Sequence, residues 1–460
     1  MNAFLPMRHV LLAAALLSLA MPLRADDGDA DATFGNVGRA IHSWPAGTIQ
    51  AQTQAVAAGA DGSVIAAGWR SFPAPQQRDA VTLVRFRNDG APDAGFGTAG
   101  VAQFDIDPAS QIGEGVAGVF ALAGGRIFVV GTRRVIDTMG QQPVLIAVRA
   151  DGTLDPAFGT NGMRDIDIAR WAGSDLQIRA TCMSGDGRIV LAGAIIGETG
   201  VDALVARVLP NGDLDATFGD QGWTRISSDE ALIATAVTLD DLGRVVVAGR
   251  TLGDGADDRP MVAMLGSNGV PVDAFGDGGL VRADTGFSGN WTADAVASAI
   301  RAISGGFVQR RVFVAISRSS PRATGILALS ASGSISTTFG DAGFVDLSLE
   351  EGSQLTALAV RSDLRLVAAG WIDPNGVGRS DFLVARMAFD GTPDASFDVN
   401  GRARYPINAD GDTFDTPTAM VLSGERPVIA GTLFNNNTPS HHAGVLRLSS
   451  DLIFRHGFEQ

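Results

Sequence analysis

One phrase recurs seven times along this chain and constrains its folding more than any other feature. It is a short acidic or glycine-containing turn, then Phe, a small residue, and a further Gly three places on. It first reads Asp31-Ala32-Thr33-Phe34-Gly35, and it returns at Phe96, Phe158, Phe218, Phe275, Phe339 and Phe397. Successive Phe residues stand 62, 62, 60, 57, 64 and 58 positions apart. Self-similarity at a long, nearly constant period marks a propeller or a stacked array, because each unit buries its faces only against its neighbours.

Residues 177–226 show what one unit contains. Gln177–Met183 alternates polar and apolar and is followed by the turn Gly185-Asp186-Gly187. Arg188–Gly193 is a β-branched run, and Asp202–Val208 reads as a third strand. Asn211-Gly212 is a strong hairpin signal, since both central positions of that turn favour positive φ. The Phe218-Gly219 phrase then leads past Gly222 into Trp223–Ile226. Four short antiparallel strands per unit predict a propeller blade. The second-strand phrase ends on Gly68, Gly131, Gly193, Gly249, Gly370 and Gly431, whereas the copy at Arg311–Ile316 lacks its Gly. First strands such as Ala234–Val237 carry small side chains, as a crowded inner rim requires.

The chain ends settle closure. The last unit stops after its third strand, Ala443–Leu448, and the missing phrase with its fourth strand stands at residues 27–41. The expected fold is therefore all-β: a seven-bladed β-propeller of four-stranded antiparallel blades, closed by an N-terminal strand joining the last blade. Pairing that edge removes an exposed template for association. The expected division is residues 1–25 as a signal peptide, 26–452 as the propeller (26–45 closing the last blade) and 453–460 as a C-terminal tail.

Arg8 followed by the apolar run Val10–Ala20 has the form of a secretory signal, too short to span a bilayer comfortably. No other stretch approaches the length of a membrane helix, so a secreted or periplasmic protein is expected, with surface association through the tail as an open option. All 35 basic residues are Arg, and the net charge of −15 argues against nucleic-acid binding. The lone Cys182 excludes an intramolecular disulfide and reads as a buried structural thiol.

The run Ala150-Asp151-Gly152-Thr153-Leu154-Asp155-Pro156-Ala157-Phe158-Gly159-Thr160-Asn161-Gly162 resembles the delta-60 repeat of exported bacterial proteins. The resemblance spans about residues 27–452. It implies a propeller and export, and it implies no general activity. Ser336 and Asp398 depart from the pattern, standing where the repeat has Asp and Gly.

Candidate chemistry is sparse. The seven phrase Phe residues invite reading as a ligand ring, but burial between blades accounts for them better. Asp31, Asp93, Asp155 and Asp215 stand four places before the phrase Gly, Asp273 three places before Gly276 and Asp394 four before Asp398, and Arg85, Arg207 and Arg386 precede Asp93, Asp215 and Asp394 by eight. Turn capping and cross-hairpin ion pairs are the expected roles. Asn408, Asp410, Asp412 and Asp415 form the best calcium candidate, with oxygen ligands at alternate positions. His441-His442 reads as loop polarity. Trp44, Trp69, Trp171, Trp291 and Trp371 are the aromatics available for stacking on sugars, with Trp69 and Trp371 in equivalent places.

No serine elbow, phosphate loop or dinucleotide fingerprint is present. The leading expectation is a monomeric, non-enzymatic exported scaffold whose second-to-third strand loops bind a protein, glycan or small ligand. The first alternative is a hydrolase or lyase using carboxylates, with or without calcium, at the central channel. The second is a structural envelope protein. Convergent acids of raised pKa at the channel mouth favour the enzyme, and a channel of Ala, Val, Ser and Thr alone favours the scaffold.

Overall fold

A computed structural model describes residues 28–450 except 46–47, 74–77, 108–112, 136–139, 199, 254–256, 284–288, 303–307, 320–321, 349–351, 374–378, 408–412 and 436–439. The expected leader, tail and part of the calcium candidate lie outside the described residues.

The strands form seven four-stranded antiparallel sheets arranged as propeller blades. Blade 1 runs Gln50–Ala58, Val64–Ser71, Asp79–Phe86 and Val101–Phe104 from channel to rim. Blades 2 to 6 repeat the order, with inner strands at Gly115–Ala121, Asp175–Met183, Ala231–Leu239, Trp291–Ala302 and Ser353–Val360. Blade 7 takes Thr413–Ser423, Arg426–Asn435 and Ser440–Arg447 from the C-terminal end, and Arg39–Ser43 from the N-terminal end. Arg39 pairs with Leu446 and Ser43 with His442, so the outermost strand of the last blade is the first strand of the chain.

Hydrophobic packing is divided by blade interface. Phe96 sits in the cluster between blades 1 and 2, Phe158 between 2 and 3, and Phe218 between 3 and 4. Phe275, Phe339, Phe397 and Phe34 occupy the remaining four in turn. Each ring is buried, and each contributes the large apolar area that holds one blade to the next. The glycine after Phe adds a backbone bond across the same joint: Gly97 N donates to Asp151 O at 2.7 Å, and Gly35 N to Asp89 O at 2.8 Å.

The second-strand glycine also has a specific cause. Every inner strand shifts register once, in blade 1 between Thr53 and Ala55, opposite Gly68. A Cβ on Gly68 would lie 1.8 Å from Gln52 O, so no side chain fits there. Blade 5 departs, placing Ile316 opposite Ala293 where the other blades have Gly.

Among the described residues no helix is long and apolar enough to cross a membrane.

Candidate functional site

The register shift leaves one extra residue per inner strand, a β-bulge that turns its side chain toward the axis. The seven bulged residues are Gln54, Ala117, Arg179, Thr235, Asp294, Thr356 and Thr418. All line the central cavity of about 670 Å³. Most of them stitch neighbouring blades. Thr418 donates to Thr53 O (2.8 Å), Thr356 to Pro417 O (3.0 Å) and Thr235 to Ala293 O, while Gln54 Oε1 accepts from Val116 N (2.9 Å). The remaining channel wall is mostly Ala, Val, Leu and Thr. Charge enters this ring only at Arg179 and Asp294.

Asp294 lies where the channel opens on the face carrying the second-to-third strand loops. Thr292 Oγ1 donates to its Oδ1 at 3.0 Å. Its Oδ2 is buried without a donor in hydrogen-bond geometry. Burial pushes its pKa up to about 6, and the nearby side chains of Ser317, Thr292 and Gln354 and the charge of Arg250 only partly oppose this. Arg250 also faces Arg179, which burial and that like charge hold below its ordinary pKa. Arg179 donates to Gln177 Oε1 at 2.6 Å. The three groups come from three consecutive blades.

A pocket of about 350 Å³ opens beside Asp294 across blades 4 to 6. Arg250, Asp258, Asn290, Arg322, Gln354 and Trp371 contribute to its wall. Arg250 Nη1 stands 3.3 Å from Asp258 Oδ2. The Asp258 loop is fastened to the blade 5 inner strand, because its N–H donates to Asn290 Oδ1 (2.8 Å) and its carbonyl accepts from Trp291 N (3.0 Å). The pocket thus offers an acid, paired amides, guanidinium groups and an indole.

The residues singled out from sequence lie elsewhere, apart from Trp371 and Trp291. Arg85, Arg207 and Arg386 pair with Asp93, Asp215 and Asp394 at 3.3, 2.8 and 2.8 Å, at the turns opposite the mouth. Each guanidinium also lies over its phrase Phe. Asn408, Asp410 and Asp412 are outside the described residues. Asp415 is buried in blade 7, where its Oδ2 accepts from Ile407 N at 3.2 Å. Among the described residues no group of three or more acidic, His or Cys side chains is placed to hold a metal.

His441 packs on Phe434 at 5.0 Å, and His442 Nδ1 lies 2.9 Å from Ser43 Oγ. Cys182 is half-buried in the channel wall, and burial pushes its thiol up to about 12. Trp171 packs edge-on against Trp223, and Trp291 is buried. Glu114 is a second carboxyl of raised pKa, pushed to about 7 chiefly by burial. It is spent on the backbone, accepting from Val81, Ile106 and Asp107 N–H groups at 2.9 to 3.0 Å. Sequence reading passed over Asp294, although aligned inner strands would have shown an acid where other blades carry Thr, Gln, Ala or Arg.

Residues 59–96, 185–218 and 362–397 match a family model described as a domain of unknown function (DUF5122) beta-propeller. Each match spans part of a blade and ends at or beside a phrase Phe, so these segments are β-propeller repeats. Among curated proteins none matches the chain. Of solved structures, polysaccharide lyase Uly1 is similar at 9% identity, with 94% of each chain covered and a TM-score of 0.48. The Penicillium chrysogenum alpha-L-arabinanase complexed with arabinobiose is similar at 10% identity, covering 89% of this chain and 97% of its own, with a TM-score of 0.41. A Trypanosoma rangeli sialidase in complex with the inhibitor DANA is similar at 10% identity, covering 84% and 67%, with a TM-score of 0.39.

Proposed function

We propose that this is an exported propeller acting on a glycan at the upper mouth of its channel, with Asp294 as the proton donor of a carboxyl-dependent hydrolase or lyase. The observation that carries the reading is the place of Asp294: a buried carboxyl of raised pKa, thrust into the channel wall by a bulge, with its neighbours Thr292 and Gln354 lining a polar pocket. A carboxylic acid that holds its proton up to about pH 6 lies in the range that general-acid catalysis draws on. Amide and hydroxyl groups beside an indole match the mixed polar and apolar surface of a sugar. Trp371 supplies the indole, Asn290 and Gln354 the amides, and Thr292 and Ser353 the hydroxyls.

A binding scaffold is the second reading, favoured by the Ala-, Val- and Thr-rich wall that makes up most of the channel. A polysaccharide panel separates the two. Reducing ends report hydrolysis, and ultraviolet absorbance of a new carbon–carbon double bond reports elimination. Turnover lost in Asp294→Asn supports the enzyme. Binding without turnover by the wild type supports the scaffold, and a full panel with neither defeats both.

A further inference from the structure

Blade 7 carries a row of rings that the joints between blades do not use. Phe414 pairs with Phe434 across the first two strands of the blade, and Phe434 with His441 across the second and third. Residues directly opposite in an antiparallel ladder share a face, so the three rings stand side by side. The Phe434 and His441 ring centres are 5.0 Å apart. Neither Phe belongs to the clusters that hold blade 7 to its neighbours, and Phe414 is 40% exposed.

That row forms one wall of a pocket of about 500 Å³ over blades 7, 1 and 2. The blade 1 inner strand forms another, where Gln50 and Gln52 are exposed two positions apart on the same side. Thr416 adds a hydroxyl. Among the described residues of the wall none is a carboxylate. Burial holds His441 below its ordinary pKa, which leaves it uncharged at neutral pH. Arg179 supplies positive charge, and its guanidinium is already engaged by Gln177 Oε1.

The pocket is continuous with the channel. Gln54, Ala117, Arg179 and Thr418 line both it and the central cavity whose wall holds Asp294. Beyond Asp294, Thr292 and Gln354 line the pocket over blades 4 to 6. Both pockets take in the first residues of inner strands, so both open on the face of the second-to-third strand loops.

We propose that the pocket over blades 7, 1 and 2 is a second glycan subsite, taking an uncharged stretch of a polysaccharide that runs across the channel mouth. This rests on the glycan reading above and specifies its substrate class: an extended neutral polymer, not a lone terminal sugar. A glutamine amide offers both donor and acceptor to neighbouring sugar hydroxyls. An exposed aromatic ring covers the apolar face of the sugar, and a wall without carboxylates asks for no charge in return.

The test is binding of the folded chain to an array of uncharged glucans, mannans, galactans, xylans and arabinans beside acidic polysaccharides. The polymer bound is then titrated as oligosaccharides of increasing length. A neutral polymer should bind, affinity should go on rising beyond two sugars, and high salt should leave it unchanged. Phe414→Ala and Trp371→Ala, on the two sides of the channel, should each weaken the longest chain about tenfold. Gln52→Ala should weaken it as well. Thermal melts check that the variants fold, and Phe414→Leu, which keeps apolar bulk without the ring, replaces Phe414→Ala if that variant melts early.

Full affinity in the Phe414 and Gln52 variants, with loss in Trp371→Ala, overturns the second subsite and leaves the glycan reading standing. So does an affinity that stops rising at two sugars, or binding of acidic polymers alone. Full affinity in all the variants, or no polymer bound, overturns both.

Discussion

Arg447 Nε donates to Asp31 Oδ2 at 2.8 Å, across 416 positions of sequence. The same guanidinium lies over the Phe34 ring at 4.4 Å and donates to Asn88 Oδ1 at 2.8 Å in blade 1. This repeats the Arg207–Asp215–Phe218 arrangement, where the partners are eight positions apart. A local hairpin device thereby becomes the clasp of the ring. Burial acts to raise the Asp31 pKa, but hydrogen bonds from Thr33 and the charges of Arg447 and Arg426 prevail and hold it below its ordinary value.

Removing one side of the clasp leaves a buried charge without its partner. Arg447 and Asp31 are only 2% and 5% exposed. Arg447→Ala should therefore cost about 3 kcal/mol or more in equilibrium denaturation. Arg87→Ala should cost no more than about 0.5 kcal/mol, because the Arg87–Asp89 pair is more than half exposed on both sides. Because the folded Asp31 pKa is depressed, its contribution is present above the ordinary value of 3.8 and is lost as pH falls through the folded value. Asp31→Asn should lessen that acid-side loss in a denaturation series across pH.

Deleting residues 26–45 removes the strand paired with Ser440–Arg447 and exposes a sheet edge. The shortened chain should melt at lower temperature and run as higher oligomers in size exclusion. A synthetic peptide of the deleted residues should reverse both. An unchanged melt and a monomeric profile would contradict this account of closure.

Gly68→Ala should be severe for its size. The added Cβ would meet Gln52 O, a backbone atom that cannot swing aside. A loss of about 2 kcal/mol or more, or failure to fold, is expected. Gly185→Ala in a turn is the control, since a Cβ there meets nothing within 4 Å. Denaturant midpoints of the two variants make the comparison.

Asp294 predicts two pH effects of one origin. Its ordinary pKa is 3.8 and its folded value about 6, so between these the native state keeps a proton that the unfolded chain has lost. Its stabilising contribution is fullest below about pH 4 and declines as pH rises through about 6, by at most about 2 to 3 kcal/mol. Asp294→Asn should flatten that slope in denaturation across pH. Turnover that depends on the protonated acid should likewise fall as pH rises through about 6. In the variant it should drop by a factor on the order of 10² to 10⁴.

The architecture was readable in the chain because a propeller is built from local instructions repeated at a fixed period. Asn211-Gly212 turns one hairpin, Arg207 finds Asp215 eight positions away, and Phe218 marks one blade joint, all within a single unit. Even closure could be read, since a phrase without a blade at residues 27–41 answered a blade without a phrase at the other end.

The mouth of the channel has no such local record. Arg179, Arg250, Asp294, Arg322 and Trp371 belong to four different blades, and no spacing rule relates them. A one-residue register shift turns Asp294 into the channel, and nothing in its neighbours distinguishes that residue from an ordinary strand position. Sequence by itself therefore determined the blades, their number and the strand that closes them, because those follow from hydrogen bonds and packing between near neighbours. Only the tertiary structure decided which charged side chains face one another, because the ring brings residues nearly 200 positions apart to a single opening and buries a carboxyl among them.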